Sequence, residues 1–290
     1  MTSVLYFGVA CKQCLVQYDA KYPMKTISKI ALGSTMILLS LPNDYTNYLS
    51  RIMASLSTAN YPIIRPYLLQ LYSKIYNADI IEADLQEPNF KDFFTRERSH
   101  PITVESNFVS PCDGQLFWKG TCQLHDDIGG MTLQDILKLP NSDEMWDYYI
   151  LYLGPGDYHR FHAPQSCTFT SLLHYRGPLK PVAPWYFQYS LKPFSDNERV
   201  ILYGKSDKNK LVYSAIGALH VGSMVVNNVN LNTNSSSKNH LYKIDPLIFS
   251  KGEEIGRFEL GSCIVMAKSS ERKEKRFEIV NTRVNVGQNI

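Results

Sequence analysis

Four residues of this 290-residue sequence have the types that together can form a nucleophilic site: Asp113, His159, His162 and Ser262. Asp113 stands in the turn-forming string SPCDG, which can project a carboxylate. The two histidines are three residues apart on a segment that a nearby proline keeps from forming a long helix, so they can act as separate acid and base groups. Ser262 follows Gly261 in an apolar segment, which leaves the preceding carbonyl open to attack. A serine, a histidine and an aspartate together can generate an alkoxide-like nucleophile.

Each part of this constellation also has an ordinary structural explanation. An aspartate in a turn is usually a turn former, and a Gly-Ser pair in a strand usually marks a close approach of two backbones. His159 and His162 could be half of a metal site, but suitably spaced further ligands are missing, so we expect no metal. A conventional serine hydrolase using Ser262, His162 and Asp113 stays open, although the G-x-S-x-G elbow is absent.

The elements that must position these residues are mainly strands. Short segments rich in Val, Ile, Tyr and Phe, bounded by turn residues, are typical of strands. They cover residues 147–154, 199–204, 211–226 and 257–268. No long amphipathic helical pattern follows residue 90, which argues against alternating βαβ units. The polar tract 230–240 is typical of a mobile loop.

Two helices are predicted near the N-terminus, before the strand-rich part. Their apolar faces are Leu49, Ile52, Met53 and Leu56 for the first, and Leu68, Leu71, Tyr72 and Ile75 for the second. Each face could pack on the domain core or lie on a membrane surface. The apolar run 30–41 is shorter than the roughly 20 residues that a membrane-spanning helix needs. Neither a signal peptide nor a transit peptide is evident.

Composition excludes several classes of protein. Hydrophobic residues make up 44% and charged residues 20%, which excludes wholesale disorder. The mean hydropathy of −0.21 argues against a polytopic membrane protein. A net charge of +3 is too small to indicate a nucleic-acid partner, and none is expected. Six cysteines do not form a disulfide scaffold, and the lone CxxC at Cys11 and Cys14 is interpreted as two reduced thiols.

Four short segments together resemble the phosphatidylserine decarboxylase family. That family carries Phe-Phe-x-Arg, then Arg/His-Pro-Ile, Ser-Pro-x-Asp-Gly, Asp-Tyr-His-x-x-His-x-Pro, and Leu-Gly-Ser-Thr near the C-terminus. The matching strings here are FFTRERSHPI (93–102), SPCDG (110–114), LGPGDYHRFHAP (153–164) and FELGSC (258–263). Order and spacing agree over about residues 67–285, and NERV (197–200) is a softer match. The layout is closer to the mitochondrial eukaryotic branch than to the bacterial one.

The resemblance implies a self-processing enzyme. The precursor would cut itself between Gly261 and Ser262, giving a β chain of residues 1–261 and an α chain of residues 262–290. Ser262 would become a pyruvoyl group, so the chain would make its own cofactor. In this scheme His162 takes the hydroxyl proton of Ser262.

Asp113 would orient His162 during this cleavage, according to the same resemblance. The amine of phosphatidylserine would then form a Schiff base with the pyruvoyl carbonyl, which acts as an electron sink while carbon dioxide leaves. His159 would position the substrate carboxylate or deliver the proton that completes phosphatidylethanolamine. The alternatives are the serine hydrolase and an inactive homologue that only binds lipid.

The resemblance also implies how the chain is organised. The fold class is α+β, mainly β, with an antiparallel-sheet catalytic body and N-terminal helices. Residues 1–66 would form a membrane-associated helical region, and residues 67–290 the catalytic domain. The partner is phosphatidylserine in a membrane, the two chains form an α/β heterodimer, and a higher oligomer is left open. We expect a membrane-associated protein of the mitochondrial inner membrane.

Some residues depart from the family pattern. Cys263 stands where the family usually has Thr, and Ala183 replaces a usual Asn. The string LGST also occurs at residues 32–35, where we interpret it as coincidence. The α chain would carry six Lys or Arg against three Glu. This surplus, with Lys273, Lys275 and Arg276, suggests that the α chain holds an anionic phospholipid near the pyruvoyl group.

Overall fold

The computed structural model describes residues 43–98, 101–104, 108–187, 190–219, 223–234, 239–259 and 262–290. The apolar run 30–41, the cysteines at 11 and 14, the LGST string and Gly261 lie outside these residues. Among the residues described, no helix combines the length and apolarity that crossing a bilayer requires.

Helices are short, apart from two near the start of the described chain. They are α1 (Asn43–Ser57), α2 (Arg65–Tyr76), α3 (Phe90–Phe94), α4 (Leu133–Leu137), α5 (Pro184–Phe187) and α6 (Pro193–Asp196), with a 3-10 helix at Glu82–Gln86. The strands are β1 (Gly114–Gln123), β2 (Met145–Leu153), β3 (Arg160–His162), β4 (Cys167–Tyr175), β5 (Arg199–Ser206), β6 (Asn209–Gly217), β7 (Met224–Val226), β8 (His240–Phe249), β9 (Glu254–Phe258), β10 (Ser262–Ser270) and β11 (Arg276–Val284).

An eight-stranded antiparallel sheet forms the body, in the order β11-β1-β2-β10-β6-β5-β4-β8. A three-stranded sheet, β3-β9-β7, carries the second histidine. Strand β10 lies in the middle of the large sheet, and its alternating side chains enter two different cores. Cys263 and Val265 enter one core, while Ile264 and Met266 enter the other. The predicted mainly β, α+β class is confirmed.

Two of the predicted strands are each divided in the structure. Residues 147–154 and 199–204 correspond to β2 and β5, as predicted. The segment 257–268, however, contains the end of β9 and most of β10, which belong to different sheets. The segment 211–226 likewise contains β6 and β7. A continuous apolar pattern does not reveal where the chain passes from one sheet to the other.

The described part of the polar tract 230–240 is irregular up to the start of β8, as the loop prediction requires, but two of its residues are anchored to the body. Thr233 and Asn234 are buried. The hydroxyl of Thr233 accepts a hydrogen bond from the backbone N–H of Met224 at 2.9 Å. The backbone N–H of Asn234 donates to Glu198 at 2.7 Å. These two hydrogen bonds fix the chain at residues 233 and 234, although the side-chain amide of Asn234 has no partner among the described residues.

Helix α1 buries its polar face and exposes its apolar face, which is the reverse of the usual arrangement. Its buried residues are polar, namely Thr46, Asn47, Ser50 and Ser57. Its large apolar side chains are exposed, namely Tyr45, Tyr48, Ile52, Met53 and Leu56. The buried face is held by hydrogen bonds to the body rather than by apolar packing. Of the two alternatives left open by the sequence, packing of the Ile52, Met53 and Leu56 face on the core is therefore excluded.

The segment around helix α2 exposes a second set of apolar side chains. Ile63 is 83% exposed and Tyr67 is 72% exposed, and Leu68, Leu71 and Ile75 are also exposed. Leu69 is buried, and the hydroxyl of Tyr72 donates to the carbonyl of Pro155 at 2.7 Å. The two helices thus expose many large apolar side chains, the kind of feature that marks protein or membrane interaction sites when the residues are contiguous.

Candidate active site

Ser262 is the first residue of the central strand β10. It is paired with Leu153 of β2 on one side and with Gly217 of β6 on the other. The residue is 1% exposed, and its Oγ has no hydrogen-bond partner among the described residues. A buried hydroxyl without a partner is costly and uncommon, so it marks a site where this oxygen is kept available.

His159 lies near this serine because two backbone segments meet at the same end of the sheet. The turn 154–157 directly follows Leu153, the partner of Ser262. The carbonyl of His159 accepts a hydrogen bond from the N–H of Phe258 at 2.9 Å, four residues before Ser262. The end of β9, four residues before Ser262, is therefore attached to the segment that carries the histidine.

The imidazole of His159 is fully buried and neutral. Its Nδ1–H donates to the carbonyl of Asp157 at 2.8 Å, which leaves Nε2 as an acceptor. This Nε2 has no partner among the described residues. The ring of Phe94 lies 4.0 Å from the imidazole, between centroids. Burial lowers the pKa of His159 to about 3, so the ring carries no proton on Nε2 at physiological pH.

His162 is also buried, but both of its nitrogens have partners. Nδ1–H donates to the carbonyl of Gly252 at 3.0 Å, and the hydroxyl of Tyr158 donates to Nε2 at 3.0 Å. The Tyr158 and His162 rings are stacked, with 5.6 Å between centroids. Burial lowers the pKa of His162, so this ring is also neutral and can act as a base.

Asp113 binds Arg98 and a backbone N–H rather than His162. Nη1 of Arg98 donates to both carboxylate oxygens, at 2.9 and 2.8 Å. The N–H of Val286 donates to Oδ1 at 2.8 Å. The expected direct contact in which Asp113 orients His162 is therefore wrong, because the carbonyl of Gly252 holds that imidazole. Arg98 links the two groups indirectly, since its guanidinium lies 5.4 Å from the ring of Tyr158.

The FFTRER segment is attached to the histidine loop by two arginines. Nη2 of Arg96 donates to the carbonyl of Gly156 at 3.3 Å. Nε of Arg160 donates to the carbonyl of Thr95 at 2.9 Å, and its Nη1 bonds Glu254 at 3.0 Å. Because these contacts hold residues 93–98 against the loop, Phe94 can shield His159 from water.

Asp157 is a further buried carboxylate at this end of the sheet. Nη2 of Arg283 lies 2.7 Å from its Oδ1, and the N–H of Gly154 donates to its Oδ2 at 2.7 Å. Burial raises the pKa of this carboxyl, an effect that Arg283 opposes. A cavity of about 180 Å³ adjoins the carboxylates of Asp113 and Asp157. Its arginines face a larger number of carboxylates, so it does not favour an anionic ligand.

The three cationic residues proposed to hold the lipid, Lys273, Lys275 and Arg276, lie far from Ser262. Lys273 and Lys275 stand in the turn between β10 and β11, about 26 Å from Ser262 along β10 at roughly 3.3 Å per residue. Lys275 is paired with Asp126 at 2.6 Å, and Arg276 with Glu278 at 3.1 Å. The hypothesis that they hold a lipid near the site is therefore wrong.

The described residues contain no group of three or more His, Cys, Asp or Glu side chains that could hold a metal ion. Cys263 is buried in the core, where burial keeps its thiol protonated by raising its pKa well above the ordinary value. Ala183 packs against the same core.

Sequence reasoning missed several residues of this site. Arg98, Asp157 and Tyr158 stand inside the quoted family strings, so closer attention to the charged and hydroxyl groups there would have found them. Gly252 acts through its carbonyl, and Arg283 reaches the site from β11, so no local signal indicates either.

Comparison with known proteins agrees with this geometry. Residues 90–290 match the model of the family described as phosphatidylserine decarboxylase. A Plasmodium falciparum protein named phosphatidylserine decarboxylase proenzyme is 31% identical over 254 residues, 78% of this chain and 70% of that protein. A Campylobacter jejuni protein of the same name is 31% identical over 234 residues, 75% of this chain and 88% of that protein. A Caenorhabditis elegans protein, named as the mitochondrial proenzyme, is 32% identical over 254 residues, which are 79% of this chain and 66% of that protein.

A buried serine and two neutral imidazoles at one end of the sheet, in a chain similar to proteins named decarboxylase proenzymes, define a class of decarboxylases that are made as precursors. The chain belongs to the phosphatidylserine decarboxylase family. This confirms the resemblance, and it supports neither the serine hydrolase nor the inactive lipid-binding homologue.

Proposed function

We propose that the chain cuts itself between Gly261 and Ser262 and then converts phosphatidylserine to phosphatidylethanolamine and carbon dioxide. The observation that carries the proposal is the buried Ser262 hydroxyl, which has no partner among the described residues and directly follows the bond to be cut. The two neutral imidazoles nearby supply the bases that both reactions need.

The cleavage proceeds by attack of the Ser262 hydroxyl on the carbonyl carbon of Gly261, with His162 as the proposed acceptor of the hydroxyl proton. For this step Tyr158 has to release Nε2 of His162, which it now occupies. The peptide C–N bond breaks and an ester remains. Elimination then removes the Cα proton of residue 262 and breaks its Cβ–O bond, which forms a Cα=Cβ double bond and releases the carboxylate of Gly261. Water finally replaces the nitrogen as ammonia and leaves a pyruvoyl end.

The surroundings of Ser262 fit a pyruvoyl group, because the residue is buried and its oxygen is not committed to another group of the described chain. A pyruvoyl group supplies an electrophilic carbonyl that captures the substrate amine and accepts the electron pair left by carbon dioxide. His159 is the proposed proton carrier. Its bare Nε2 can accept a hydrogen bond from the substrate amine and relay a proton to the carbon that loses carbon dioxide.

Intact mass spectrometry of the purified protein tests this proposal. We expect two chains, of 261 and 29 residues, with a carbonyl in place of the amino group at position 262. The products of carboxyl-labelled phosphatidylserine should include labelled carbon dioxide. A chain that is active but uncut would overturn the self-cleavage.

Membrane docking through helices α1 and α2 is proposed for access to the lipid substrate. The polar face of α1 is fixed to the body, so its apolar face points away from it. An apolar helix face that lies in the interface plane is the physical basis of peripheral membrane binding. The proposed division at residues 66 and 67 falls in the first turn of α2, so both sides of it contribute to this surface.

The variant Ile63→Glu/Tyr67→Glu should bind vesicles that contain phosphatidylserine at least about tenfold more weakly, because two large apolar groups are replaced by charges. Co-sedimentation with the vesicles measures the effect. Leu241→Glu is the matched control, since Leu241 is 68% exposed on the edge strand β8. Both variants should cut themselves normally. Equal binding by the two variants would contradict docking through the helices.

The cellular location of the protein and the assembly of its two chains are also proposals. Some relatives are named as mitochondrial, and we propose the mitochondrial inner membrane for this chain. The cut chains are proposed to stay together as an α/β heterodimer, because β10 is hydrogen-bonded between two β-chain strands.

A further inference from the structure

Asn197 is fully buried between helix α6 and strand β5, and each polar atom of its side chain is hydrogen-bonded. Nδ2 donates to the carbonyl of Lys180 at 2.7 Å and to the carbonyl of Gly217 at 2.8 Å. Oδ1 accepts from the N–H of Lys180 at 3.1 Å. An amide that is satisfied by three backbone groups holds those groups in one fixed arrangement.

Gly217 is the residue that pairs with Ser262 across the sheet. The pairing of β5 with β6 ends at Arg199 and Ile216, so Gly217 lies just beyond that ladder. Its N–H donates to the carbonyl of Glu198 at 2.9 Å, and its carbonyl accepts from Asn197. The amide of Asn197 thus takes the place of a strand partner at the end of β6.

We propose that Asn197 is a positioning residue for the reaction at Ser262, acting through Gly217. This inference rests on the proposed self-cleavage. Because Gly217 sets the position of the first residue of β10, a shift of its backbone moves the Ser262 oxygen relative to the bond that it attacks. A displacement of about 1 Å can reduce the rate of a reaction about a hundredfold.

The same amide connects the site to helix α1. The N–H of Leu179 donates to the hydroxyl of Thr46 at 3.2 Å, and the amide of Asn47 donates to the carbonyl of Gly177 at 3.1 Å. Residues 177–180 are therefore held by α1 on one side and by Asn197 on the other. Through this segment, the polar face of the proposed membrane helix supports the arrangement around Ser262.

The variant Asn197→Asp tests the inference, because it keeps the shape but removes both N–H donors. We expect self-cleavage to slow by about tenfold or more, as for the loss of a buried hydrogen bond. Lowering the pH to mildly acidic should restore part of the rate, since the protonated carboxyl regains one donor for the Gly217 carbonyl. The time course of cleavage by denaturing gel and intact mass measures both effects.

Leu133→Ala is the control for general loss of stability, because Leu133 is fully buried in α4. At equal loss of thermal stability it should cut at the wild-type rate and show no recovery in acid. Gly217→Ala is a second variant at the same contact. Its added carbon would lie 2.9 Å from Cδ2 of Leu179 and 3.2 Å from the Glu198 carbonyl oxygen, so it should also slow cleavage.

The outcomes separate the inference from the proposed function. If the wild-type chain stays whole, the proposed self-cleavage fails. Only the role of Asn197 is overturned if the wild-type chain is cut and both Asn197→Asp and Gly217→Ala are cut at its rate. The same conclusion follows if Leu133→Ala recovers in acid as Asn197→Asp does.

Discussion

A Ser262→Ala chain should remain whole at 33.1 kDa and release no carbon dioxide from phosphatidylserine. The substitution removes the oxygen that attacks the preceding carbonyl, and with it the leaving group whose elimination gives the pyruvoyl group. We expect cleavage to slow by about ten-thousandfold or more, the size of effect seen when a serine nucleophile is removed. A denaturing gel and intact mass measure the result.

Ser214→Ala is the matched control for this experiment. Ser214 is also fully buried, lies on the neighbouring strand β6, and has an Oγ without a partner among the described residues. Its variant should cut itself and decarboxylate normally. Cleavage of the Ser262→Ala chain between residues 261 and 262 would rule out the serine mechanism.

The two histidines should separate the two reactions. His162→Ala should slow self-cleavage by about a hundredfold or more, since a general base contributes on that scale. His159→Ala should cut itself at a rate close to wild type, yet its decarboxylation should fall by a similar factor. Paired measurements of cleavage time course and carbon dioxide release give the contrast. His125→Ala, on the exposed surface, serves as the control.

Equal effects of both histidine variants on both reactions would contradict this division of labour. The pH dependence gives a further check. A base works while it is neutral, and burial lowers the pKa of His162, so cleavage should persist into mildly acidic solution where an ordinary imidazole is already protonated.

The sequence predicts which residues carry the chemistry of the site, but it does not predict which groups these side chains contact. Asp113, His159 and His162 stand in short strings with turn residues, so their types and spacing are visible in the sequence. The partner of His162 is not visible, because the Gly252 carbonyl is a backbone group that every residue carries. Arg283 is also hidden, because it reaches Asp157 only after β11 has paired with β1.

The N-terminal helices show a second kind of limit. The period of apolar residues correctly predicts α1 and α2, but a period defines two faces and does not say which one is buried. In α1 the deciding contacts are the hydrogen bond that Thr46 accepts from Leu179 and the one that Asn47 donates to Gly177, more than a hundred positions away. Such long-range polar pairing has no signature in the local sequence.

The position of β10 has a consequence for the life of the mature enzyme. In the proposed cut form, the α chain supplies β10 to the centre of the large sheet and β11 to one edge, each hydrogen-bonded to strands of the β chain. Before the cut, refolding is an intramolecular event; afterwards it requires two separate molecules to find each other, so its yield depends on protein concentration. Each molecule therefore folds once as a single polypeptide. After the cut, the lifetime of the folded enzyme is set by its rate of unfolding. A thermally unfolded mature enzyme recovers only if its two chains reassemble.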